Sequence, residues 1–219
     1  MREQPQTSRH EPRWPVILSI AVLLGLLMGM TERIRIFPGW LPFTAAIAGI
    51  MPMAAVALTA GRSRWLRVER VTTLLLFALT EAGTLAGLAR LIGAMISGPA
   101  GASGLQLLTS SIAVWATNVL SCSLLYWQID RGGPEARSSG AGKRPEWLFP
   151  QAGTQEQGQP EWRPQFIDYL FLSYSTSTAF SATDVAPLSA RAKLLMMFES
   201  SISLLTILLV AARAVNILG

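Results

Sequence analysis

The residues of this chain best suited to chemistry are polar and ionisable side chains set inside apolar segments. Glu199, Ser203, Thr206 and Arg213 follow one another at spacings of four, three and seven in a stretch otherwise built of Leu, Ile, Val, Ala and Met. On a helix they share one face. Glu81 and Asn118 lie near the middle of two other apolar blocks. A polar or charged group at membrane depth is costly unless it faces the bundle interior or water, and it marks ion and proton pathways. Arg90, nine residues beyond Glu81, is two and a half turns along and so on the opposite helix face. That leaves Asn118 or Glu199, across helices, as partners for Glu81. The alternative for the whole set is a packing seam of buried hydrogen bonds with no ion to carry.

A second cluster lies in Phe166 to Leu188, FIDYLFLSYSTSTAFSATDVAPL, which reads as a short helix, a polar loop and a helix restart. A sixth crossing does not fit. Phe166 to Ala182 contains Asp168, Ser173, Ser175, Thr176, Ser177, Thr178 and Ser181, too polar for lipid on every side. Irregular backbone at membrane depth is tolerated only where protein or water buries it, which a re-entrant helix and loop satisfies. Asp168 would accept hydrogen bonds from the free N–H groups at the helix start, at the positive end of the dipole. The negative end would point at the loop, where a cation is favoured. In the bland alternative, Asp184 and Ser189 merely cap a turn and the last helix.

The same stretch resembles the pore loop of potassium channels. Asp168, Ser173, Thr176, Thr178, Asp184 and Pro187 fall at that family's Asp, Thr and Pro positions without a gap. The filter departs from the pattern: where the family places Thr-Val-Gly-Tyr-Gly, this chain has Ala179, Phe180, Ser181, Ala182 and Thr183. Glycines reach backbone angles that cost other residues roughly 1 to 2 kcal/mol each, so Ser181 and Thr183 do not suit stacked carbonyls. What remains are the hydroxyls of Thr178, Ser181 and Thr183 and the carboxylate of Asp184. Round a symmetric homotetramer, as the resemblance implies, these form a weakly selective path for monovalent cations. The resemblance also matches Glu199 to a glutamate behind the filter and Ser203 to the inner-helix hinge, usually Gly, so that Glu199, Ser203 and Thr206 are expected as a pore face.

These segments belong to a membrane chain. Of 219 residues 51% are hydrophobic and 14% charged, with the apolar residues bunched into blocks at about 14–30, 40–60, 72–96, 105–127 and 190–217. A secretory signal peptide competes for the first block, but TERIR after Met30 offers no small-residue cleavage site. The expected organisation is a polar tail over 1–13, three transmembrane helices over 14–104, and a pore-like module over 105–219. In that module an outer helix (105–127) is followed by a polar loop (128–165), a pore helix and loop (166–188) and an inner helix (190–217). The fold class is therefore all-α, polytopic, with about five transmembrane helices plus the re-entrant element. Asp130 to Pro164 has a Gly/Ser/Pro-rich linker composition with little capacity to bury a core, and Trp147, Leu148, Phe149 and Trp162 are expected to dock it at the membrane interface. Gly25/Gly29 and Gly83/Gly87 permit close helix approach. No metal or cofactor is expected, since His10 is the only histidine and Cys122 the only cysteine. No nucleophile, base and orienter recur at usable spacing and no phosphate-cradling glycine motif is present, which argues against an enzyme.

The net charge of +5 is a topology signal, not a nucleic-acid footprint. If each block spans once, one side receives Arg2, Arg9, Arg13, Arg62, Arg64, Arg67, Arg70, Arg131, Arg137, Lys143, Arg144, Arg163, Arg191 and Lys193, against Arg33, Arg35 and Arg213 on the other. Basic short loops stay cytoplasmic, so the N-terminus is expected inside and the pore loop enters from the cytoplasm, inverted relative to a potassium channel. At larger scale the chain resembles a group of bacterial multi-span membrane proteins, through Tyr126-Trp127, Asp130-Arg131-Gly132-Gly133-Pro134, Leu148-Phe149-Pro150 and the closing stretches TAFSATDVAPLSARAKLLMM and LLVAARAVNIL. That resemblance implies a bacterial inner-membrane protein and no particular activity. The rival to a channel is a non-conducting scaffold or accessory subunit with a channel-derived fold. In spheroplasts, Gly140→Cys should stay protected from a membrane-impermeant thiol reagent; labelling from outside would restore the ordinary channel orientation.

Overall fold

The computed structural model describes residues 11–29, 40–58, 63–96, 104–138, 143–153, 162–178 and 185–218. They are mostly helical: α1 (Trp14–Gly29), α2 (Leu41–Leu58), α3 (Ser63–Ile96), α4 (Gly104–Ile129), α5 (Pro134–Ser138), α6 (Phe166–Thr178) and α7 (Ala190–Leu218). Two strands of two residues, β1 (Trp147–Leu148) and β2 (Ala186–Pro187), pair antiparallel, Trp147 opposite Pro187 and Leu148 opposite Ala186. Three helical stretches are long and apolar enough to cross a membrane: Arg64–Gly93, Leu108–Gly132 and Ala190–Ala212. Trp14–Met28 and Phe43–Val56 are shorter apolar helices. The block expected at 72–96 begins too late, because α3 starts at Ser63 and takes Arg64, Arg67 and Arg70 into its first turns. Apolar content marks where lipid begins, whereas Arg, Leu and Glu all propagate a helix beyond that point.

α4 is the central helix, packed against α1, α3, α6 and α7 and buried continuously from Ser121 to Asp130. Small polar residues make this position tenable. Ser110, Ser111, Thr117, Asn118, Ser121 and Ser123 are all buried, and such side chains let membrane helices approach closely while supplying hydrogen bonds. α3 runs antiparallel to α4: Arg70 Nη1 lies 3.5 Å from Gly132 O, Ser121 Oγ donates to Glu81, and Gly87 faces Val114.

Several chain ends meet at one end of the bundle. Arg13, just before α1, pairs at 3.2 Å with Glu69 at the start of α3. Arg70 reaches the turn after α4. Tyr169, on the first turn of α6, donates to Asp130 at the end of α4. Leu188 N, just before α7, donates at 2.8 Å to Glu146 O, and Arg191 pairs with the Glu146 carboxylate. Arg13, Arg70, Arg137 and Arg191 therefore lie at one end of the bundle.

The described part of the segment after α4 packs as core and not as a linker. Asp130 is wholly buried; its Oδ1 accepts from Glu146 N at 2.7 Å and its Oδ2 from Tyr169 Oη at 2.6 Å. Arg137 Nη1 donates to Trp127 O at 2.7 Å and Asp130 O at 3.0 Å, with its Nη2 on Glu11 at 3.0 Å. Contrary to the interfacial expectation, Trp147 and Phe149 are buried core residues: Trp147 packs 4.7 Å from the Tyr126 ring and Phe149 5.4 Å from Tyr169. Leu148, 48% exposed, points away. Composition averages over the segment, whereas Asp130 and Arg137 gather specific residues out of it.

The turn beginning this segment is conformationally demanding. Arg131, Gly132 and Gly133 have φ of 52°, 90° and 105°, and a Cβ on Gly133 would lie 3.2 Å from Gln128 O. Gly133→Ala should lower the stability of the detergent-solubilised protein by about 1–2 kcal/mol. Gly25→Ala, a helical site with nothing within 4 Å of the new methyl, should leave the melting temperature unchanged or slightly raised.

Candidate functional site

Midway along α7 the backbone places Glu199, Ser203 and Thr206 on one face, all at 1% exposure or less. That face is turned to α4 and α6. Glu199 Oε2 accepts from Tyr126 Oη at 2.5 Å and its Oε1 from Ser177 Oγ at 2.9 Å; Ser173 Oγ, with one hydrogen to give, lies against both Oε1 and Val119 O, the latter at 2.7 Å. Asn118 Nδ2 donates to Ser203 Oγ at 2.9 Å and to Glu199 O at 3.0 Å. Thr206 Oγ1 only bonds back to Ile202 O at 2.8 Å. The stripe thus faces the bundle interior, as its cost in lipid demands, but within one chain. As a wall presented to a central axis it is not available, and the face α7 exposes is apolar: Leu194, Met197, Leu204 and Leu208.

Glu81, 4% exposed, accepts from Ser121 Oγ through Oε1, while its Oε2 has no partner among the described residues. Of the two partners expected for it, neither bonds it directly. Asn118 is committed to α7, and Ser121, whose Oγ also lies 3.2 Å from Asn118 O, supplies the link. Sequence spacing alone missed Tyr126, whose aromatic character conceals a hydroxyl aimed across helices.

α6 is set by its caps. Asp168 Oδ2 accepts from Gln165 N at 2.7 Å, the acidic half of a capping box. Burial pushes the Asp168 carboxyl above its ordinary range, and the Gln165 N–H pulls it back. Ser189 Oγ accepts from Ala192 N at 3.0 Å and so caps α7. At the other end of α6, Thr178 Oγ1 bonds back to Tyr174 O at 2.9 Å and Ser200 Oγ donates to Thr176 O at 3.3 Å. Ala179, Phe180, Ser181, Ala182, Thr183 and Asp184 lie outside the described residues. Among the described residues no group of three or more His, Cys, Asp and Glu could hold a metal ion.

No protein-family model matches the chain, and no curated protein or solved structure is significantly similar to it.

The arrangement can hold a carboxylate at depth and fix three helices around it. Tyr126→Phe removes one donor from a buried acceptor and should cost about 1.5–3 kcal/mol, and Ser173→Ala a similar amount, the two combining non-additively through the shared carboxylate. Thr206→Val, whose hydroxyl only bonds its own helix, should be near neutral. Unfolding in detergent measures all three.

Proposed function

We propose that this protein is a channel-like component of a bacterial inner membrane: five crossings by α1, α2, α3, α4 and α7, with α6 and the loop after it re-entering from the basic, cytoplasmic end. Four copies would bring Thr178 to Asp184 around one axis as a weakly selective path for monovalent cations. The observation that carries this is the shared direction of α6 and α7. Both begin at the end that holds Asp130 and Glu146, and both run inward to a common depth where Ser173 and Ser177 meet Glu199. α6 has 13 residues, about 20 Å of helix. By Val185 and Ala186 the chain is back beside Leu148, and the six residues between Thr178 and Val185 can extend about 20 Å. A helix that enters from one end, with the chain back at that end within a few residues of its last turn, matches the plan of a pore loop.

α1 and α2, at 16 and 18 residues, reach about 24–27 Å, close to the roughly 30 Å hydrocarbon thickness. The positive-inside tendency then puts the basic end in the cytoplasm. A non-conducting scaffold is the alternative, and one observation favours it: Glu199 and Ser203 of the α7 stripe are bonded to α4 and α6, and Thr206 is buried. Any aqueous path must therefore draw its polar lining from the loop.

Asp184→Asn separates the two. It removes charge at nearly constant shape, so a tetramer of unchanged size should form while cation flux in proteoliposomes falls several-fold. Lost as a cap alone, Asp184 would cost about 1 kcal/mol of stability and no flux. An assembled parent that passes neither sodium, potassium nor protons would make the protein a scaffold.

A further inference from the structure

At the basic end, between the start of α3 and the turn after α4, lies a cavity of about 390 Å³ whose walls include Arg67, Arg70, Gln128, Glu135 and the backbone of Gly132 and Gly133. Its size falls within the roughly 300–1,000 Å³ of small-molecule sites. It stands at the basic ends of two helical stretches long and apolar enough to cross a membrane, Arg64–Gly93 and Leu108–Gly132. That is headgroup depth in a bilayer.

The lining has two chemical halves. Arg67 is exposed, and among the described residues Arg70 makes a 3.5 Å contact, through Nη1, with Gly132 O. Each guanidinium has five N–H donors in a fork that matches phosphate oxygens. The other half accepts. Gln128 is 3% exposed and its Oε1 is buried without a partner among the described residues, a condition that costs about 1–3 kcal/mol until a donor arrives. Its terminal torsion is soft, so either end of the amide can turn to the cavity. Glu135 adds a carboxylate, 3.8 Å from Arg13 Nη2. Glu69 is also in the wall but is paired at 3.2 Å with Arg13, so it does not offset the two arginines.

We propose that this cavity binds a phosphodiester headgroup whose polar arm ends in an N–H or O–H donor, the phosphate on Arg67 and Arg70 and the donor on Gln128 and Glu135. A membrane phospholipid of the leaflet at the basic end is the source that the depth favours; a soluble phosphodiester carries the same groups. The site is independent of whether the protein conducts.

The full-length protein, delipidated in detergent, is titrated by native mass spectrometry with phosphatidylethanolamine, phosphatidylglycerol, phosphatidylcholine and soluble glycerophosphoethanolamine. The first two should be retained about tenfold more tightly than phosphatidylcholine, whose quaternary ammonium has no N–H; tenfold corresponds to about 1.4 kcal/mol, one modest hydrogen bond to a buried acceptor. Gln128→Leu should erase that preference, and Arg67→Ala with Arg70→Ala should weaken all three lipids while helical content by circular dichroism is kept. Equal retention of phosphatidylcholine by the unaltered protein, a comparison needing no variant, would overturn the donor half. Undiminished phosphatidylethanolamine retention by the double variant would overturn the site. Glycerophosphoethanolamine binding as tightly as the lipid would overturn the membrane source.

Discussion

Everything in the inner half of this bundle depends on one carboxylate. Glu199 is wholly buried, and a carboxyl group taken out of water costs free energy unless hydrogen bonding repays it. The repayment comes from three hydroxyls on two other helices: Tyr126 on α4, Ser173 and Ser177 on α6. Because the serine hydroxyls are short and the tyrosine ring is rigid, satisfying Glu199 sets how deep α6 sits against α7 and how both sit against α4. Asn118, bonded to Ser203 and to the Glu199 carbonyl, repeats the constraint one turn further on. Between apolar helices in lipid the hydrophobic effect supplies no comparable specificity, so small residues and interhelical hydrogen bonds set the register.

A second polar layer closes the basic end of the molecule. Asp130 holds the backbone of Glu146 and the hydroxyl of Tyr169, and Arg137 stacks 5.0 Å from the Tyr169 ring while bonding Trp127 O. The result is that the end of α4, the return of the long loop and the start of α6 form one unit. β1 and β2 then attach the entry of α7 to it. With its beginning held at this end and its Ser173 and Ser177 held at Glu199, α6 has both position and direction determined. The loop that follows inherits them.

This economy has a consequence for function. A polar face on a membrane helix suggests a wall for ions, yet here Glu199 and Ser203 are bonded within one chain and Thr206 is buried, and what α7 turns outward is Leu194, Met197, Leu204 and Leu208. Lipid or the apolar face of another copy suits such a surface. Glu81 is different: half of its carboxylate is bonded to Ser121 and half has no partner among the described residues. Two buried glutamates of the same bundle therefore stand in unequal surroundings, one fully satisfied and one open to a further partner.

The sequence by itself determined the mostly helical class with helices apolar enough to cross a membrane, the approximate helices, the cap at Asp168 and the shared, inward-turned face of Glu199, Ser203 and Thr206. Each rests on local composition or on helical periodicity, which act over a few residues. Which neighbours these side chains meet was not legible, because Tyr126, Ser173 and Ser177 come to Glu199 from 73, 26 and 22 residues away. A hydroxyl in an apolar run looks the same whether it bonds its own helix, as Thr206 does, or another. Nor did composition distinguish a Gly/Pro/Ser-rich linker from a segment gathered around Asp130 and Arg137. Only the tertiary structure decided that Trp147 and Phe149 belong to the core and that the polar stripe is internal, because burial depends on which helices converge and not on residue type.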